Sequence, residues 1–215
     1  MEMMFIAVCL ITMFGLMLLR HKRYQVKMLP LVPLAVSVAA AGLLGTYIMF
    51  FIENGGWYGK SFFGAVLFFP ILLFPVAKLF RMRLRQLLDL ATPPGMALLA
   101  IYKWNCYQKG CCGGKAIWYS EAGVPVHFPS QLAEMASAIV IVIILLALER
   151  QEKYRDKIYP LCLLIYGGVR FILNYFRWER ADFLFGLPAG NLWSLVSIGI
   201  GAVWLIVCRR REKAC

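Results

Sequence analysis

The sequence predicts an all-α integral membrane protein: a bundle of about seven transmembrane helices, N-terminus out and C-terminus in, with irregular extracytoplasmic loops. Three observations predict it. Of 215 residues, 61% are apolar and only 16% charged, with a mean hydropathy of +0.71, far from soluble globular usage. The apolar residues fall in runs of roughly 17 to 24, each near the length that crosses about 30 Å of hydrocarbon, which implies helices and not a β-barrel. Basic residues then gather on alternate sides of those runs, as the positive-inside rule requires.

The runs lie at about 3–19, 29–52, 61–80, 87–103, 133–148, 158–176 and 192–208, forming one polytopic membrane domain over 1–215. The opening "MEMMFIAVCLITMFGLMLLR" carries an acid where a signal peptide has a basic start, and its basic cluster follows the apolar run, so it reads as a first span. The fourth run contains "ATPPG", where two prolines and a glycine are expected to break or kink the helix unless protein or water satisfies the freed backbone groups. With the N-terminus outside, the inner segments hold Arg20, Lys22, Arg23 and Lys27; Lys78, Arg81, Arg83 and Arg85; Arg150, Lys153, Arg155 and Lys157; and Arg209, Arg210, Arg211 and Lys213, sixteen of the 23 basic residues. Lys60, Lys103, Lys109, Lys115, Arg170, Arg177 and Arg180 fall on the outer side. The formal charge of +12 thus reports orientation and contact with anionic inner-leaflet lipid, not nucleic acid binding.

Polar chemistry collects on the outer side, where the two longest loops, roughly 104–132 and 177–191, also lie. In "IYKWNCYQKGCCGGK", Lys103, Asn105, Gln108, Lys109 and three cysteines come together. This stretch reads either as a loop with snorkelling lysines and Cys106, Cys111 and Cys112 disulfide-bonded or reduced, or as an anion site in which Lys103 and glycine-rich backbone amides hold a lipid phosphate. The spacing C-x4-C-C matches no usual zinc pattern, and neither metal nor cofactor is expected. In "VPVHFPSQLAE", His127, Gln131 and Glu134 flank the start of the fifth span. Ser130 is a candidate N-cap there, and Glu134 suits the positive end of the helix dipole; equally, a carboxylate at the rim of an apolar span calls for a charged partner. In "YGGVRFILNYFR", Tyr166, Arg170 and Asn174 recur every four residues, a polar stripe that should face the bundle interior. Arg177 extends that track. At the third span, Gly59 and Gly64 beside Lys60 allow close helix packing or close lipid approach.

The order of "DLATPPGMALLAIYKWNCYQKGCCGG", "PSQLAE", "YGGVRFILNYFR" and "GLPAGNLWSL" resembles the bacterial phosphatidylglycerol–prolipoprotein diacylglyceryl transferase family over nearly the whole chain from the third span onward. The resemblance implies the seven-span, N-out topology in a bacterial plasma membrane. It also implies transfer of a diacylglyceryl group from phosphatidylglycerol to the lipobox thiol of a preprolipoprotein, with release of glycerol-1-phosphate. Tyr166 and Arg170 match the family's Y-G-x-x-R, and Pro129, Gln131, Leu132 and Glu134 match its H-P-x-Q-L-Y-E.

The departures are specific. The family's G-R-x-G signature reads Tyr102, Lys103, Trp104 and Asn105; Phe128 replaces its histidine, with His127 one place early; Phe63 precedes Gly64 where a histidine is common; and Asn191 stands for a glutamine. Asn174 replaces the glutamate one turn after the essential arginine, which is expected to remove a fixed partner of Arg170 and leave that cation either freer to bind an anionic lipid or without a counter-ion. On this resemblance the catalytic set is Arg170, His127, Tyr166 and Glu134, with Arg170 stabilising charge on the departing phosphate and His127 as base. Lys103, Arg177, Asn174, Asn105, Gln131 and Gly64 would bind substrate and phosphate. The partners implied are the phospholipid and the preprolipoprotein signal peptide. Two other readings stay open: the same fold acting on a different lipid donor or acceptor, and a non-catalytic membrane protein that binds lipid or a partner. A transporter is disfavoured because the sequence shows no internal repeat.

Overall fold

The computed structural model describes residues 2–121, 123–177, 183–184 and 186–213. Arg180, one of the outer-side cations expected above, lies outside them. The described chain is helical: α1 (Glu2–Arg20), α2 (Leu31–Asn54), α3 (Phe62–Leu67), α4 (Phe69–Leu79), α5 (Leu84–Gln108), α6 (Ser130–Glu149), α7 (Ile158–Asn174) and α8 (Ala189–Lys213), with a two-stranded hairpin between α5 and α6. Stretches of α2, α6 and α8 are long and apolar enough to cross a membrane, and α1, α4 and α7 are shorter apolar helices. The fold is that of an α-helical membrane protein. Its core runs between the helices through Met17, Leu34, Leu73, Leu88, Leu99, Ile141, Leu145 and Leu163, each at most 2% exposed, while Val32, Ile143 and Val203 are among the large apolar side chains turned outward, as lipid-facing surfaces require.

Prolines shape the third and fourth runs differently. The third run is two helices, α3 and α4, with Phe68 between them and Pro70 at the start of the second. Pro70 has no N–H for the carbonyl four residues back, and that Val66 oxygen instead accepts the Tyr159 hydroxyl of α7 at 2.7 Å. The fourth run is not broken at "ATPPG": α5 continues through Pro93 and Pro94. The carbonyls those prolines free are Asp89 and Leu90, and Arg20 of α1 donates to both, at 2.8 Å and 2.6 Å. A guanidinium from a neighbouring helix thus supplies the donors that the two prolines lack.

Arg20 is therefore not a lipid-facing topology signal. It is 7% exposed and pairs with Glu149 at 2.8 Å, tying α1, α5 and the end of α6 together. Glu134 stands on the same helix fifteen residues earlier, or about 22 Å away along the axis. The helix α6 therefore carries one buried carboxylate near each end.

The stretch 104–132 is also less irregular than its composition predicts. The helix α5 continues to Gln108, and strands β1 (Ala116–Tyr119) and β2 (Pro125–His127) pair antiparallel, with Ala116 opposite His127 and Tyr119 opposite Pro125. Gly114 bridges this hairpin to Arg177 at the end of α7, and Lys115 N–H donates to the Phe176 carbonyl at 2.9 Å. The short sheet binds the ends of α5, α6 and α7 to one another.

Candidate active site

Glu134 is the centre of the polar cluster. One turn into α6 and 4% exposed, it receives Lys103 Nζ of α5 on Oε2 at 2.7 Å. On Oε1 it receives Arg170 of α7 and, at 3.2 Å, Arg177 from just beyond that helix. Lys103 and Arg170 are themselves buried, at 5% and 8% exposed. Among the described residues, three cations thus converge on one carboxylate, an arrangement that concentrates positive charge in a buried site suited to an anion. Of the two outcomes expected for Arg170, the one without a counter-ion is corrected: a carboxylate reaches it from α6 instead of from the next turn of α7.

The stripe of α7 faces inward, since Tyr166, Arg170 and Asn174 are all buried. The Tyr166 ring lies edge-on to Phe62 at 5.5 Å and tilted against Phe63 at 5.6 Å, so the phenylalanine standing where the family has a histidine packs on the tyrosine. Asn174, 5% exposed, has no hydrogen-bond partner for either amide atom among the described residues. A buried amide in that condition, one turn from Arg170, is an unused donor and acceptor at the site.

The other expected residues divide. Gln131, 7% exposed, donates its side-chain N–H to the Cys111 carbonyl. Ser130 is not an N-cap: it is the first helical residue, and its hydroxyl donates to the Cys112 carbonyl at 2.7 Å. Both therefore hold the cysteine loop against the start of α6. His127 is exposed on β2, where Nδ1 lies 3.0 Å from the Gly114 carbonyl; because that carbonyl accepts, Nδ1 carries the proton and Nε2 is left as an acceptor. Asn105 is half-buried two residues beyond Lys103, on a different side of α5. Gly64 packs against α2, where an added methyl would strike the Gly45 carbonyl and Met49. Asn191 is buried near the start of α8, with no partner for Oδ1 among the described residues.

Two features escape a reading of the sequence. Cys106, Cys111 and Cys112 bring their sulfurs within 4.8 Å of one another at the edge of the cation cluster. The Cys106 thiol hydrogen-bonds the Cys112 sulfur, and this, with the Lys103 and Arg177 charges, outweighs burial and holds the Cys112 thiol down at about 5; the same bond and burial push Cys106 up. The second feature is an apolar cavity of about 390 Å³ between α1, α2, α3, α4, α5 and α7, lined by Met13, Gly42, Phe62, Phe69, Leu99 and Tyr102 among others. Phe62 belongs both to its wall and to the Tyr166 contact, and Tyr102 precedes Lys103. The cavity thus meets the inward stripe of α7 through the Phe62–Tyr166 contact, while Lys103, Glu134, Arg170 and Arg177 are not in its lining.

Residues 3–207 match the prolipoprotein diacylglyceryl transferase family model. Among curated relatives, the phosphatidylglycerol–prolipoprotein diacylglyceryl transferase of Geobacter sulfurreducens is 27% identical over 205 residues, covering 83% of this chain and 76% of that protein. The protein of that name from Dehalococcoides mccartyi is 23% identical over 169 residues, 72% of this chain and 64% of its own. That of Proteus mirabilis is 35% identical over 95 residues, 43% and 32% respectively. The matched region thus spans from about a third to three quarters of these relatives' lengths. With its family model covering nearly the whole chain, this helical membrane protein belongs to the prolipoprotein diacylglyceryl transferase family.

Proposed function

We propose that the protein transfers a diacylglyceryl group from phosphatidylglycerol to the thiol of a lipobox cysteine at the outer face of the membrane, with its N-terminus outside and C-terminus cytoplasmic. The observation that carries this reading is the buried convergence of Lys103, Arg170 and Arg177 on Glu134, in a molecule that also holds an apolar cavity whose wall residue Phe62 packs on Tyr166. An anionic headgroup joined to two acyl chains matches that pairing of charge and apolar space. The one name shared by the three relatives supports the same donor and acceptor.

In the reaction a thiolate sulfur forms a bond to the terminal glycerol carbon of the diacylglyceryl group, the carbon–oxygen bond to phosphate breaks, and glycerol-1-phosphate leaves. The thiol proton passes to a base. Arg170, with Lys103 and Arg177, stabilises charge developing on the departing phosphate oxygen; preorganised cations act most strongly there. Glu134 holds the three cations in place and prevents their mutual repulsion from spreading them. Asn174 supplies a buried amide to the glycerol hydroxyls or the phosphate, and Tyr166 packs the cavity wall behind Arg170. His127 is the base, through Nε2. Its strand is tied through Gly114 to the backbone of Arg177. Gln131 positions the loop that begins at Cys111.

The test is incubation of membranes containing the protein with labelled phosphatidylglycerol and a lipobox peptide. Labelled peptide should form with the wild type and not with Arg170→Ala; an inactive wild type would overturn this substrate pair. One observation favours a second reading, a different donor lipid. Lysine 103 meets Glu134 through one nitrogen, whereas the family's arginine offers a fork suited to a phosphodiester. Lipid mass spectrometry of cells with and without the gene separates the two.

A further inference from the structure

We propose that Cys106, Cys111 and Cys112 form a binding site for one thiophilic metal ion of the Zn²⁺ class, with its fourth position open to the exterior. The proposal does not rest on the transferase reading. The three sulfurs lie within 4.8 Å of one another. A tetrahedral zinc with bonds of about 2.3 Å sets its thiolate sulfurs about 3.8 Å apart, so a contraction of an ångström or less per pair seats the ion.

The backbone explains how a C-x4-C-C spacing builds such a site. Cys106 lies in the last turn of α5 and is 3% exposed. The chain then reverses: Cys111 N–H donates back to the Cys106 carbonyl at 3.1 Å, with Gly110 and Cys112 in the left-handed region at φ +65° and +62°. This turn folds the second and third thiols onto the first. Ser130 Oγ then fixes the Cys112 carbonyl at 2.7 Å, and Gln131 fixes that of Cys111. Donors of this kind orient ligands from behind.

Charge supports the same assignment. Three thiolates on a divalent ion carry a net charge of minus one, and the loop is bridged through Gly114 to Arg177, one of the cations that meet Glu134. Sulfur donors select a soft ion such as zinc over magnesium or calcium. Binding releases the thiol protons to solvent and involves no change of oxidation state. Cys111 and Cys112 are exposed, which leaves the fourth ligand position to water or to an incoming thiol.

The experiment uses the full chain purified in detergent, reduced and stripped of metal, then titrated with Co²⁺ as a spectroscopic probe and with Zn²⁺ in competition. One ion per chain is expected, with a sulfur-to-cobalt charge-transfer band that Zn²⁺ abolishes. Cys111→Ser, on an exposed thiol, should weaken binding at least tenfold, and so should Cys106→Ser; Cys162→Ser, inside α7, should leave it unchanged. Circular dichroism checks that each variant is folded. Absence of one-to-one binding, or binding that survives Cys111→Ser and Cys106→Ser undiminished, would overturn the site. A disulfide among these three cysteines, found by alkylating the protein within its native membrane before purification, would overturn it too.

Discussion

Lys103 Nζ lies 2.7 Å from Glu134 Oε2, a lysine of α5 and a glutamate of α6, both almost wholly buried. An isolated ammonium or carboxylate at this depth is strongly unfavourable. The pair exists because Arg170 and Arg177 join the same carboxylate, making it the hub of a site assembled from three helices.

The charge at position 103 is expected to matter more than its shape. Lys103→Ala should lower diacylglyceryl transfer by about 10²- to 10³-fold, the scale of losing one preorganised charge donor. Lys103→Arg, which restores the family residue, should keep transfer within about tenfold of wild type. Initial rates with labelled phosphatidylglycerol check both.

Glu134→Gln leaves three cations with no carboxylate. Breaking a buried ion pair from one side costs about 3–5 kcal/mol, so unfolding in detergent should shift by that order. Glu134→Gln combined with Arg177→Gln should recover part of the loss. Equal stability of the two variants would mean that repulsion among the cations is not the cause.

Arg20 offers a test away from the site. Arg20→Met removes the closer cation of Glu149, leaving it Arg23 at 3.9 Å, and takes the guanidinium donors from the Asp89 and Leu90 carbonyls; it should destabilise the fold by about 3–5 kcal/mol. Replacing Pro93 and Pro94 by alanine returns two backbone N–H donors to α5. The cost of Arg20→Met should then be smaller by about 1 kcal/mol or more, a coupling measured by a double-mutant cycle.

Gly64→Ala should destabilise the α2–α3 contact by about 1–3 kcal/mol, because the methyl meets the Gly45 carbonyl. In refolded proteoliposomes the KM for the lipid should stay near wild type. A raised KM with unchanged stability would place Gly64 against the lipid instead.

The helical membrane class was legible because long apolar runs have one physical solution in a bilayer. The inward stripe of Tyr166, Arg170 and Asn174 was legible because a repeat of four fixes one helix face. Where each stripe residue finds its partner was not. The carboxylate for Arg170 comes from another helix, and Asn174 gave no hint of it. The same limit explains α5: "ATPPG" carries a local rule for breaking a helix, but the donors that override it come from Arg20, 69 and 70 residues away. The thiol cluster was hidden because its ligands meet through a chain reversal held by Ser130 and Gln131, not through a recognisable spacing.

The central claim is that the Glu134 cluster holds the phosphate of a lipid donor whose diacylglyceryl group is moved to a peptide thiol. The most direct measurement is mass spectrometry of a lipobox peptide incubated with the purified protein in vesicles containing phosphatidylglycerol. Peptide carrying one diacylglyceryl group should appear with an equal amount of glycerol-1-phosphate, and both should be lost with Arg170→Ala. Folded wild-type protein that yields neither product, or an Arg170→Ala variant that yields both at the wild-type rate, would contradict it.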